Sequence, residues 1–306
     1  MSETQRRFAI PARLNLLLLV SASVISAALL WLASHAPAWG WQIAAAVAFS
    51  FTANTLFSLM HESVHGLLHP DDAWNRWGGR IASAFFPTSL ALQRGFHLTH
   101  HRNNRSPRER FDYIEPGDIA WAKRLNWYGI LTGAYWLVTQ LGLLLWLVAP
   151  ILLRVPVLRR AGSRFASQSA SREYLAVFDE VDGTTARLEL LASFAFQALL
   201  FLALDLSLLG WALCYGAFAI HWSSLQYADH AFSPLNAYDG AWNLRANPLS
   251  RAAFLNYHFH LAHHRYPHTP WLYLPRLVDP AEPRPSFLRV WLTMWRGPRR
   301  LPAPDA

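Results

Sequence analysis

The sequence predicts an all-α integral membrane protein, with four transmembrane helices, a further apolar hairpin and a histidine-rich cap on one side of the bilayer. Three observations predict it. From Leu14 to His61 there is no Asp, Glu, Lys or Arg. A second apolar region, Leu190 to Ala228, carries Asp205 as its only formal charge. Eight of the 14 histidines fall in three short clusters beside apolar or aromatic stretches.

A spanning helix needs about 20 apolar residues, so the first stretch holds two spans, at about 14–34 and 41–60. The break is His35-Ala36-Pro37-Ala38-Trp39-Gly40, where Pro, Gly and an interfacial Trp make a turn. A secretory leader would have a shorter apolar core and a small-residue cleavage site. The second region is too long for one span and reads as two, at about 189–205 and 208–228, turning at Asp205-Leu206-Ser207. Between these pairs, 125–153 is apolar but contains Gly129, Gly133, Gly142 and Pro150. It reads as a re-entrant or interfacial hairpin, with a single slanted helix as the alternative.

Side-of-membrane parity favours the hairpin. Histidine clusters that build one site must share a side, so an even number of spans separates the second cluster from the third. Arg6, Arg7 and Arg13, and the loop arginines Arg154, Arg159, Arg160, Arg164, Arg172 and Arg187, then fall on one face. Positive charge marks that face as cytoplasmic. Both termini and the cap, 61–124 and 229–285, are placed there, in a bacterial inner membrane.

Composition agrees. Hydrophobic residues make up 53% and charged residues 15% of the 306, against a soluble norm of about a quarter charged. The net charge of +8 reads as positive-inside bias rather than nucleic-acid binding. A single cysteine, Cys214, excludes a disulfide framework and a Cys-ligated iron–sulfur cluster, and is read as a small buried hydrophobe.

The clusters are His61-Glu62-Ser63-Val64-His65, His97-Leu98-Thr99-His100-His101 and His260-Leu261-Ala262-His263-His264. Residues three and four apart share a helix face, so HxxxH aims two imidazoles at one point and HxxHH aims three. Neutral imidazole is a borderline-soft donor suited to iron, copper, nickel or zinc. Eight donors exceed what one ion takes and suit two. A solvated His-rich tract is excluded by the wide separation of the clusters. The fourth span ends at Gln226-Tyr227-Ala228-Asp229-His230, which makes His230 a ninth candidate by topology. His221 lies nine residues earlier and reads as contact between helices.

HxxxH, HxxHH and HxxHH in this order between paired spans, with His230-Ala231-Phe232 about 30 residues before the last box, resemble the membrane-bound di-iron fatty acid desaturase and hydroxylase superfamily. The resemblance covers roughly residues 40 to 275 of what reads as one desaturase-like domain, 1–306. It implies two iron ions held by His61, His65, His97, His100, His101, His230, His260, His263 and His264. It also implies O2 as co-substrate and hydrogen removal from a fatty acid or acyl chain drawn from the lipid bilayer. Gln226, His69, His258 and His268 are expected beside the ligands, orienting them. The first box departs from many acyl desaturases, with His61-Glu62 in place of His-Asp. Glu62 either orients a ligand, contacts the metal or caps a helix end. No fused cytochrome signature is present, so electrons are expected from a separate ferredoxin and its reductase.

Three outcomes compete after the first hydrogen abstraction: desaturation, hydroxylation, and oxidative decarboxylation of a free acid to a terminal 1-alkene. An alkyl or carotenoid hydroxylase uses the same scaffold. A His-lined metal transporter is the alternative from another class, but its ionisable groups would line the spans, whereas these flank them. Arg102, Arg105, Arg108 and Arg110, interrupted by Glu109, read either as positive-inside bias or as a docking patch for an acidic donor. Leu288, Trp291, Leu292, Trp295 and Arg296 suggest an amphipathic helix at the interface.

Overall fold

The computed structural model describes residues 8–155 and 170–301. In chain order its helices are α1 (Ala12–His35), α2 (Trp39–Val64), α3 (Asp72–Phe85), α4 (Leu90–Asn103), α5 (Ala120–Thr132), α6 (Ala134–Val148) and α7 (Pro150–Arg154). Then follow α8 (Ala170–Glu180), α9 (Gly183–Ala203), α10 (Leu208–Ala228), α11 (Pro248–Ala253), α12 (His260–Arg265) and α13 (Phe287–Met294). A 3₁₀ helix spans Trp271–Leu277, and β1 (Tyr113–Ile114) pairs in parallel with β2 (Arg299–Arg300). Arg6, Arg7, Arg159, Arg160 and Arg164 of the charge argument lie outside the described residues.

Among the described residues four helices are long and apolar enough to cross a membrane: α1, α2, α9 and α10. Span three begins earlier than its hydropathy suggests, because Arg187 and Glu189 are accommodated within the helix. Glu189 receives Nε of Arg80 at 2.8 Å, the Ser89 hydroxyl at 2.8 Å and the Ala91 amide at 2.9 Å. Asp182 caps the start through the Thr184 amide at 3.2 Å. The turn to span four falls where expected, with Asp205 at φ 46° and Ser207 capping α10 through Gly210.

The segment 125–153 is not one slanted helix. α5 and α6 meet at 99°, and the bend is Gly133, at φ 81°. A Cβ there would lie 2.7 Å from the Ile220 amide nitrogen, so α10 passes too close for any side chain at the corner. Glycine alone satisfies both conditions.

The core follows α2. Phe49, Leu56, Leu59 and Met60 are buried against Tyr215 and Phe218 of α10 and Leu30 of α1. Cys214 is buried in the same cluster. His221 joins helices through the Ser50 hydroxyl at 3.1 Å and edge contacts to Phe51 and Phe254. α13 buries Val290 and Met294 and exposes Leu288, Leu292 and Trp295, the two-faced pattern expected of it. α3 shows the same inversion without having been foreseen: Gly78, Gly79, Ala82 and Ser83 face inward while Trp74, Trp77 and Ile81 face out.

One buried ion pair ties the cap to the end of span four. Arg105 is 2% exposed and clamps the Asp112 carboxylate with two bonds of 2.8 Å. It also donates to the Ser233 carbonyl at 3.2 Å. Asp112 in turn accepts the Phe232 amide at 2.7 Å and lies 2.8 Å from the Tyr227 hydroxyl. This corrects the docking patch expected of the arginine run: Arg105 is an internal clamp, shielded from any partner. Removing one member of a buried pair strands the other, a loss of about 3–5 kcal/mol. Arg105→Ala should therefore markedly lower the thermal midpoint of the detergent-purified protein. Replacing Arg105 and Asp112 together by apolar residues should lower it less than Arg105→Ala alone.

Candidate metal centre

The boxes arrive at one place from four elements. α2 carries His61 and ends at His65, because the spacing of four places both rings on one side of the terminal turn. Arg94 donates to the Val64 carbonyl at that end. α4 carries His97, His100 and His101, and its start is fixed by Ser89, which accepts the Leu92 amide at 3.2 Å. α12 supplies His260, His263 and His264, and His230 follows the end of α10.

The imidazoles sort into two groups of four. His61, His65, His97 and His263 form one, and His100, His230, His260 and His264 the other; within each, the donor atoms lie within 4.8 Å of one another. His101 stands between them. Its Nε2 is 2.9 Å from His97 Nε2 and 3.0 Å from His263 Nε2, while its ring centroid is 4.4 Å from that of His264. Further Nε2 pairs are His65–His97 at 2.8 Å, His260–His264 at 3.2 Å and His100–His264 at 3.3 Å. Metal–imidazole bonds of about 2.1 Å put two ligand nitrogens about 3.0 Å apart at a right angle and about 3.4 Å apart at a tetrahedral one. The spacing fits nitrogens that share an ion.

Two orphaned atoms support the fit. Nε2 of His61 and Nε2 of His230 are buried and lack a hydrogen-bond partner. His230 Nδ1 lies 2.8 Å from the Gly240 carbonyl, so its proton belongs on Nδ1 and its lone pair points into the second group. Gly240 has no room for a side chain, since a Cβ would fall 2.2 Å from Arg105 Cγ. Burial, followed by neighbouring imidazoles, drives the pKa of His97, His230, His260, His263 and His264 well below the ordinary histidine value. His101 falls to about 2, by burial and then by the neighbouring imidazoles of His100 and His65, and His65 to about 3, by burial and then by His268 and Arg94 beside it. Neutral rings are the form that binds metal.

The residues expected to orient the ligands divide. Gln226 accepts the Tyr257 hydroxyl at 3.1 Å, and the Tyr257 ring touches both groups, 5.1 Å from His61 and 4.9 Å from His260. His268 is exposed, near His65 and His101. His69 instead accepts the Asp71 amide at 3.0 Å and lies against Trp74, at the start of α3. His258 faces away, with its ring against Phe259. Glu62 is buried and accepts the Trp271 amide at 3.1 Å, bordering a small cavity that touches His61 and His263. It makes no helix-end cap.

The residue that sequence reasoning missed is Glu109. In the sequence it only interrupts the arginine run. In the structure it is 6% exposed, its Oε2 is 3.3 Å from His100 Nδ1, and its Oε1 accepts the Tyr174 hydroxyl at 2.6 Å. Burial and the Glu109 charge together raise the Tyr174 pKa well above its ordinary value. The lone acid beside a histidine box was the available signal, but its direction depends on the turn 104–112, which the Arg105–Asp112 pair sets. A carboxylate on the far nitrogen of a ligand fixes its tautomer, and losing such a partner costs about 10–100-fold in metal affinity. Glu109→Ala should therefore weaken the second group selectively, lowering bound metal from about two per chain toward one under limiting supply. Tyr174→Phe should have a smaller effect. Elemental analysis after dialysis against a chelator reads the difference.

A family model described as fatty acid desaturase matches residues 40–295. No curated protein matches the chain. The match takes in all three boxes and His230, the residues whose rings converge here, and the chain belongs to the fatty acid desaturase family, part of the membrane di-iron desaturase and hydroxylase superfamily.

Proposed function

We propose that the chain is an O2-dependent oxidoreductase that holds two irons and removes hydrogen from an unactivated C–H bond of a fatty acid or acyl chain, with desaturation as its first assignment. The observation that carries this reading is the pair of four-histidine groups with His101 between them. His61, His65, His97 and His263 would hold one ion, and His100, His230, His260 and His264 the other. When bound, the pair supplies the reduction of O2 that generates an oxidant strong enough for an alkyl C–H bond.

The chain's own part is placement and exclusion of water. Leu255, Tyr257, Trp271 and Leu274 border the cavity at His61 and His263 and present apolar surface where a methylene would lie. Ser58 and Glu62 are the polar members of that wall. Tyr257, anchored by Gln226, keeps the two groups in register. Which atom follows the first hydrogen depends on angstrom-scale placement of the chain. Loss of the neighbouring hydrogen gives an alkene, oxygen return gives an alcohol, and loss of CO2 from a free acid gives a 1-alkene.

Purified protein reconstituted with ferrous iron should hold about two irons per chain and give O2-dependent product. Gas chromatography of lipid extract and headspace should then show an internal alkene; an alcohol or a 1-alkene would reassign the outcome within the same chemistry. Full activity with zinc alone would overturn the reading.

Electrons are proposed to come from an acidic ferredoxin-type donor on the cytoplasmic face. Arg102 and Arg108 remain exposed beside the second group, and Arg102 lies 3.9 Å from Glu180. Charge-steered docking weakens as the Debye length falls from about 30 Å at 0.01 M salt to about 8 Å at 0.15 M. Arg102→Glu with Arg108→Glu should slow donor-driven turnover and flatten its salt dependence, while leaving metal content unchanged. An unaltered salt dependence would end the docking proposal.

A further inference from the structure

The segment before the third box carries a polar cluster that the metal chemistry does not use. α11 and the turn after it are docked along α2. The Thr55 hydroxyl donates to the Ala253 carbonyl at 2.6 Å, and the Ser58 hydroxyl to the Phe254 carbonyl at 3.1 Å. Phe51 stacks on Phe254 at 5.8 Å. Thr55 precedes His61 by about 9 Å of helix, so this segment lies along the span, on the side of His61 toward its apolar middle. Leu249 and Arg251 are exposed there.

Three arginines collect at this level. Arg251 and Arg284 set their guanidinium carbons 5.5 Å and 4.9 Å from the ring centroid of Phe259. Burial, then Arg251 and Arg245, disfavour the charge on Arg284. Among the described residues, none of the three forms an ion pair. Arg284 reaches only main-chain carbonyls, of Asn243 at 3.4 Å and Leu244 at 3.5 Å. The His258 ring, 4.2 Å from that of Phe259, is 1% exposed, and both its nitrogens are buried without a partner. Guanidinium groups that form no ion pair among the described residues, beside a buried imidazole left unmet, are the complement of an anion.

We propose that Arg251 and Arg284, with Arg245 and His258, hold the anionic head of a membrane-derived amphiphile, a carboxylate or phosphate at the end of an acyl chain. The position along the span, beside exposed Leu249, fits a ligand that arrives through lipid rather than from water. The side of the cluster toward the histidines is apolar: Phe259 packs with Leu274, and Leu274 and Leu255 border the small cavity at His61 and His263. The proposal rests on the reading of the histidine groups as a site acting on acyl chains, and it names the end of the substrate that the protein grips.

The test uses metal-loaded protein in zwitterionic nanodiscs and displacement of a fluorescent fatty acid. The competitors are a long-chain fatty acid, the alkyl phosphate and the alcohol of equal length, and inorganic phosphate. The acid or the alkyl phosphate should bind at least about tenfold tighter than the alcohol, as charge-assisted bonds require; whichever is tighter identifies the head. Inorganic phosphate should not compete, and competition by it would overturn the membrane source. Arg251→Gln with Arg284→Gln should erase the preference for the anion, and Arg251→Lys with Arg284→Lys should restore part of it. Should the double variant lose its metals, Arg251→Gln alone, at an exposed position, should still weaken the anion several-fold. Equal binding of acid and alcohol by the unaltered protein, or unchanged acid affinity in a Gln variant that keeps its metals, would overturn the proposal. Anion preference without acyl turnover would instead sink the oxidation reading alone.

Discussion

The structure depends on packing nine imidazoles against one another at the ends of its spans. At His260, His263 and His264 burial disfavours the protonated ring first, and the neighbouring imidazoles add to it. Everything around the boxes serves to hold neutral rings at close range. Arg94 secures the end of α2, the Gly240 carbonyl orients His230, and the Arg105–Asp112 clamp shapes the turn that delivers Glu109. The spans are the scaffold for that arrangement, since α2 runs into His65 and α10 ends two residues before His230.

Neutral ligands bring no negative charge, and the carboxylates stand one layer back. Glu62, Glu109 and Asp229 are all buried. Asp229 has no partner for either oxygen, and burial raises its pKa well above the ordinary carboxylate value. An isolated buried carboxylate is costly. Two divalent cations in the histidine groups would offset that cost at a distance, leaving the acids to orient and compensate rather than to ligate. Soluble di-iron bundles place their carboxylates directly on the metal; the two groups here consist of histidines alone.

Much of this was legible in the sequence, and for a stated reason. Charge-free runs and i, i+3, i+4 histidine spacing are local signals, so four spans and three converging boxes follow from them. What was not legible depends on tertiary direction. Arg105 and Arg108 look alike in sequence, yet one is sealed against Asp112 and the other is exposed. Glu109 reads as an interruption and serves as a hydrogen-bond partner of a box histidine. His258 and His260 differ by two positions and face different clusters, one toward arginines and one toward imidazoles. Gly133 looked like one of three helix-weakening glycines and is the corner where α10 passes closest.

The sorting of the boxes also has a consequence for how such a chain is made. The first group takes three rings from the early boxes and one from the last; the second takes one early ring and three late ones. Neither group exists in half of the protein. While the ribosome is still short of His260, the emerged chain offers at most three imidazoles to one ion and two to the other, the latter from His100 and His230. Metal arriving then would meet incomplete cages. Completion comes with one short helix, α12, which delivers its three rings within five residues. A complete cage therefore exists only once α12 has been made, and an ion held in either group would cross-link α4 to α12.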